Sequence, residues 1–332
     1  MGPTDDRERI ATGYRRFAEV EAAQASPLYA VLATAVAEDD DVLDFLAALP
    51  TGKRQPNLLF AAVQYLHGTP TGYADARRAV LEDGERLRAT MLARSTQTNE
   101  AARCAALLPV LALLDGPLAL IEVGASAGLC LYPDRYGYDY DGVQVGPRSA
   151  VHLSTTTSGP VPVPSRVPEV VARTGIDLNP LDPGDEDTRA WLRALVWPGP
   201  AAADRLARLD AAAEIAAREP ARMLRGHLLD RLPEAVEQAP AGTTVVVFHT
   251  AVLPYVPGEE RARFTALVRG LPVRWIAQEG PGALPEVDAQ VDLDDAPGRF
   301  VLSLDGRALA WTAPHGGRLD WFAGSRNGSG SS

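Results

Sequence analysis

The spacing of apolar residues changes character along the chain. Up to about residue 115 it is helical: Ile10, Tyr14, Phe17 and Val20 mark one face, and "DVLDFLAAL", "NLLFAAVQYL" and "TNEAARCAALLPVLALL" continue the pattern. This predicts helices and no strand. After "DGP" the chain turns to short apolar runs that end in glycine or a polar residue and are separated by helical stretches, as in a parallel α/β sheet. Five runs fit: "LALIEVG" (118–124), "TGIDLNP" (174–180), "ARMLRGH" (221–227), "TTVVVFHT" (243–250) and "PVRWIAQEG" (272–280). A sixth and seventh lie in "RFVLSLDGRALAWTAP", folded back at Asp305-Gly306. Between the first two runs, "YGYDYDGVQVG" alternates aromatic and polar residues around Asp141-Gly142, which predicts an inserted hairpin, with "PVPVPSR" beyond it. The expected layout is a helical domain over 1–115 and an α/β domain over 116–324 with an insertion at about 133–170. A disordered tail is expected over 325–332.

Composition narrows the function. A chain of 332 residues, 46% hydrophobic and 23% charged, can bury a full core. Its net charge of −11 argues against a dedicated nucleic-acid binder, which needs a basic stripe to release counterions. The single lysine, Lys53, is followed by Arg54, so there is no Walker A loop, and a pyridoxal enzyme would have to use this one residue. Cys104 and Cys130 have no C-x-x-C partner and read as packing residues rather than zinc ligands or a disulfide framework. The start lacks an apolar leader, and the stretch near 105–123 is broken by Pro109, Asp115, Gly116 and Pro117. A soluble cytoplasmic protein with no membrane partner is the expectation.

Gly124-Ala125-Ser126-Ala127-Gly128 carries two incompatible readings. As G-x-S-x-G it is the nucleophile elbow of a serine hydrolase, with Asp177 and then His249 or His315 following in chain order. An elbow normally sits on a central strand after earlier strands have built the sheet, whereas here helices precede it. As E-x-G-x-S-x-G it is a nucleoside-cofactor loop: Glu122 ends the run, Gly124 and Gly128 permit a tight turn, and a helix N-terminus after Gly128 would offer free N–H groups. NAD is disfavoured, because Ser126 and Leu129 occupy the second and third glycine positions of the dinucleotide pattern. Asp177, ending the second run, is placed to accept hydrogen bonds from ribose hydroxyls.

"QTNEAAR", "IEVGASAGL", "DRYGYDY", "GIDLNPLD", "VWPG", "VVVFHTAVLPY" and "PHGGRLDW" together make the chain similar to a bacterial family of unknown function, number 2332, over nearly its whole length. That family resembles class I S-adenosylmethionine-dependent methyltransferases with a helical N-terminal extension. The resemblance implies a Rossmann-like seven-stranded sheet in the order third, second, first, fourth, fifth, seventh, sixth, with the seventh strand antiparallel. It also implies that Glu122, Gly124, Ser126, Gly128 and Asp177 hold S-adenosylmethionine. His227, after Gly226, stands where such folds often carry Gly-Asp facing the adenine.

Methyl transfer is an in-line displacement that asks for positioning, exclusion of water and at most one base. His249, ending the fourth run, and Tyr255 read either as base and orienting group or as a turn cap and edge packing; Glu279, ending the fifth, reads as a substrate acid or an exposed loop carboxylate. Asn99 and Arg103, spaced i,i+4 on an expected helix with Glu100, face either the cofactor or an interdomain network. Tyr136, Tyr138 and Tyr140 share one face of the hairpin, as a substrate wall or as core. His315 is open between turn and site. The leading expectation is a methyltransferase acting on a small metabolite. The alternatives are a non-catalytic nucleoside- or partner-binding protein and a serine hydrolase using Ser126.

Overall fold

The computed structural model describes residues 3–97 and 99–323, with side chains from residue 6 onward. The tail expected at 325–332 lies outside the described residues. The chain divides into two units, residues 1–98 with 185–209, and residues 99–184 with 210–332.

The first unit is helical, and its helix starts follow from capping chemistry. Ser26 accepts a hydrogen bond from Tyr29 N at 3.2 Å and precedes Pro27, opening the helix Pro27–Val36. Asp39 does the same for Asp40–Ala47 through Asp41 N and Val42 N. Tyr14, Phe17, Tyr29, Phe60 and Trp191 are among the residues of the buried core. Val20, expected on that face, is 69% exposed. Phe17–Ala22 is a π-helical segment, and its wider turn rotates Val20 away from the stripe that begins at Ile10.

The second unit is built on one sheet. Its strands are β1 (Leu118–Val123), β2 (Gly137–Tyr140), β3 (Val143–Val145), β4 (His152–Ser158), β5 (Val170–Asp177), β6 (Arg222–Arg225), β7 (Thr244–Thr250), β8 (Arg274–Glu279), β9 (Phe300–Leu304), β10 (Arg307–Thr312) and β11 (Arg318–Trp321). Among the described residues no strand precedes β1. The order is β3-β2-β4-β11-β10-β9-β8-β7-β1-β5-β6, so the sheet has eleven strands rather than seven. The fold is mixed α/β with a mostly parallel sheet. β6-β5-β1-β7-β8 is wholly parallel, and β9 and β10 follow as an antiparallel hairpin.

The expected exchange of the last two strands does not occur. β9 pairs directly with β8, Ile276 opposite Leu304 and Glu279 opposite Val301, and it is β9 that runs antiparallel to β8. Asp305 fixes this choice. Its N–H donates to Trp275 O at 2.7 Å, and its carboxylate accepts from Trp275 N and Arg274 Nε, each at 2.8 Å, so the hairpin turn is fastened to the start of β8. The inserted hairpin forms as expected, β2 against β3 with Asp141 at φ +50° and Gly142 at φ +94° in its turn. β4, from the same insertion, pairs in parallel with β2 and β11 and joins the insertion to the far end of the sheet.

One face of the parallel half carries Ile121, Val123, Val247, Trp275 and Ala277 against Leu232, Phe264 and Val268 of the helices Leu228–Glu237 and Gly258–Gly270. Strand order reverses between β1 and β7. The C-terminal ends of these two strands therefore flank the switch point at which open α/β sheets bind ligands.

Candidate functional site

The loop after β1 folds on itself. Gly124, Ser126 and Gly128 have φ of +71°, +53° and +71°. Gly124 N and Ala125 N both donate to Ile176 O, Ser126 N to Asp177 Oδ2 at 2.8 Å, Ala127 N to Asn99 Oδ1 at 3.1 Å, and Gly128 N to Ala125 O. Each amide from 124 to 128 thus has an acceptor within the protein. The expected α-helix start after Gly128 is a 3-10 turn, Leu129–Leu131. Gly124 is required sterically: a Cβ there would stand 2.5 Å from Val252 Cγ2, in the loop after β7.

Asn99, Ser126 and Asp177 come together. Asn99 Nδ2 donates to Ser126 Oγ while its Oδ1 holds Ala127 N. Asp177 also accepts from Asn179 N at 2.8 Å. Asp177 thus bridges the loop after β1 and the segment after β5. His227 caps the helix Leu228–Glu237 through its Nδ1, which accepts from Leu229 N at 3.4 Å, and its Nε2 lies 2.8 Å from Glu260 Oε2. Nε2 is accordingly the protonated nitrogen.

Beneath the loop, on the face of β1 opposite Ile121 and Val123, lies a buried polar cluster. Glu122 is 4% exposed, and its Oε2 has no hydrogen-bond partner. Burial, then the nearby Cys130, pushes its carboxyl well above the ordinary value, against the pull of Arg103. The Cys104 and Cys130 thiols point at Cys130 O and Glu100 O. Arg103 donates from Nε to Pro314 O at 2.9 Å and from Nη1 to Thr250 O at 2.9 Å. Asn99 and Arg103 do not share a helical face, because Asn99 precedes a three-residue 3-10 turn, Ala101–Arg103.

His249 and Glu279 also meet, but inside the core. His249 is fully buried; its Nδ1 lies 2.6 Å from Glu279 Oε1, and its Nε2 accepts from Trp275 Nε1 at 3.0 Å. The indole N–H can only donate, so His249 carries its proton on Nδ1 and has no lone pair left for a substrate. Glu279 further accepts from Val252 N at 2.9 Å and Leu253 N at 3.3 Å. It is a buried staple on the loop after β7, not an exposed carboxylate. Ser126 Oγ is likewise bonded to an amide rather than to this histidine.

Tyr255 is 73% exposed. Tyr136, Tyr138 and Tyr140 are buried and donate to Leu129 O, Pro133 O and Ala105 O at 2.6 to 2.7 Å, which makes them core of the insertion and not a substrate wall. Sequence reasoning missed Trp275, although its alternation with Ala277 and Glu279 places all three on one face of β8. It also missed Ala251, at φ +56°, for which the sequence carries no signal.

Four non-glycine residues have positive φ among those described. Asp141 and Asp305 lie in Asp-Gly hairpin turns that call for it. Ser126 and Ala251 have no such turn, and they stand on the two loops that flank the switch point. Among the described residues no helix is long and apolar enough to cross a membrane.

No curated protein and no solved structure matches the chain. Residues 11–321 match the model of the family described as "Uncharacterized protein conserved in bacteria (DUF2332)", and the chain belongs to that family.

Proposed function

We propose that the chain binds a nucleoside ligand at the C-terminal edge of β1, β5 and β7, with S-adenosylmethionine as the leading candidate and methylation of a small metabolite as the reaction. The observation that carries this reading is the pairing of Ser126 and Ala251 at the switch point, since backbone strain of this kind collects at ligand clamps and active sites. Asp177, at the end of β5, is a carboxylate bonded to the Ser126 amide on the same edge, the residue type and place that recognise a ribose in such sheets. When bound, the sulfonium would supply an electrophilic methyl group. The protein's contribution would be orientation through Asp177 and the loop after β1, and exclusion of water.

The test is a thermal shift and a calorimetric titration with S-adenosylmethionine and S-adenosylhomocysteine at millimolar concentration. At a hundred times its dissociation constant, a ligand specific for the native state adds about 2.7 kcal/mol. Asp177→Asn keeps an acceptor for the Ser126 or Asn179 amide and should reduce the shift. Gly124→Val is unsuitable as a binding probe, because Val252 already fills the space. Absence of both shift and heat sinks the proposal.

A second reading, nucleoside or partner binding without catalysis, is favoured by one observation: His249 and Glu279 are both committed to the core. Single-turnover incubation with labelled cofactor and a metabolite pool separates the two, since only an enzyme releases labelled product. The hydrolase alternative rests on the G-x-S-x-G motif and the positive φ of Ser126, and fluorophosphonate labelling of Ser126 tests it.

A further inference from the structure

The helix Gly258–Gly270 and the segment Gly282–Val287 stand apart and leave a groove of about 470 Å3, the size of a small-ligand cleft. Gly258, Ala262, Thr265 and Ala266, at i, i+4, i+7 and i+8, line its helical wall. None is large enough to close the gap. Leu284 and Val287 form the facing wall, and the indole of Trp275, 4% exposed, lies at the base.

The two arginines of the groove differ. Arg269 is ion-paired with Glu286 and lies 5.9 Å over the Trp275 ring. Arg261, two helical turns away, gives one hydrogen bond, Nη1 to Gly282 O at 3.0 Å, and has no carboxylate partner among the described residues. Four of its five N–H donors remain. It stands near the start of a 13-residue helix, whose free amides add partial positive charge. Of the two acids in that first turn, Glu260 is held by His227 and Glu259 does not line the groove. Away from the neutralised Arg269–Glu286 pair the groove is therefore lined by small and apolar side chains, and it is cationic at the Arg261 end.

We propose that it is a binding site for an apolar monoanion, an aromatic or alkyl carboxylate or sulfonate, with the anionic group on Arg261 and the body between Ala262, Ala266 and Leu284. The site is separate from the proposed nucleoside site and does not depend on it.

The experiment titrates the full chain with 8-anilinonaphthalene-1-sulfonate and, in parallel, with uncharged N-phenyl-1-naphthylamine. The anionic probe should bind saturably at one per chain. Ala266→Trp and Ala262→Leu fill the groove from exposed helix positions, so the core is untouched. Each should weaken both probes about tenfold or more at an unchanged thermal midpoint. Arg261→Gln should weaken the anionic probe about fivefold and spare the neutral one. No saturable binding, or binding indifferent to both groove-filling variants, overturns the site. An equal response of the two probes to Arg261→Gln overturns its preference for an anion.

Discussion

Glu279 on β8 and Glu122 on β1 lie near the same edge of the sheet, and both are almost wholly buried. On one face, Glu279 receives His249 and the amides of Val252 and Leu253. On the other, Glu122 keeps an oxygen with no partner while burial holds its carboxyl toward the neutral form. An acid at the end of a parallel strand is therefore not one kind of residue. Glu279 fastens a loop and has nothing left to offer, whereas Glu122 is an unsatisfied group held in place by the packing around it.

The largest test of that contrast is Glu279→Ala. It strands two backbone amides and an imidazole N–H in the core, and should lower stability in urea denaturation by about 3–5 kcal/mol. Glu279→Gln, which keeps one acceptor oxygen, should lose less. If Glu279→Ala is as stable as the parent and loses only a reaction, the contrast fails. Next comes Gly124→Ala, with an expected loss of about 2 kcal/mol from positive φ and the encounter with Val252. Val252→Ala in that background should recover the steric part and leave the strain.

Glu122→Gln sharpens the comparison from the other side. It replaces a neutral carboxyl with a neutral amide of similar shape, so at mildly acid pH the change should stay within about 1 kcal/mol. A carboxyl raised in the folded state stabilises fully below its unfolded value, here 4.5, and loses that contribution as pH rises toward its folded value. The parent should therefore weaken relative to the variant from about pH 4.5 upward. Parallel pH profiles would place the ionisation elsewhere. Tyr255→Ala, at an exposed position, should leave stability within about 0.5 kcal/mol.

Much of the second unit was legible because strands announce themselves locally. The run at 118–124 became β1, the run at 243–250 became β7, and both Asp-Gly turns formed where the alternation required them. β4 and β11 were not legible: "HLSTTTS" and "RLDW" are polar enough to read as loop, and pairing with β2, with β10 and with each other is what makes them strands. Strand order was hidden for a related reason. Nothing in the period of β9 or β10 says which of them meets β8; the Asp305 contacts to Arg274 and Trp275 decide it. At the site, the sequence reading set Asn99 beside Arg103 and set Ser126 with Asp177, and spacing could not disclose that Asn99 and Asp177 both bond the loop that carries Ser126. His249 shows the same limit, since whether its nitrogens are free depends on Trp275, 26 residues away.

The parallel pairing of β4 with β11 has a consequence for synthesis. Thr156–Ser158 must wait for Arg318–Asp320. While the intervening chain is made, β4 presents an open edge of unpaired backbone N–H and C=O groups, a template for pairing with another chain. Closure by such distant partners makes folding slow relative to local hairpins. A ribosome stalled before residue 318 would release a chain whose insertion is folded against β2 but unsealed. Nascent-chain aggregation should therefore rise for stops just before β11 and fall for stops just beyond it.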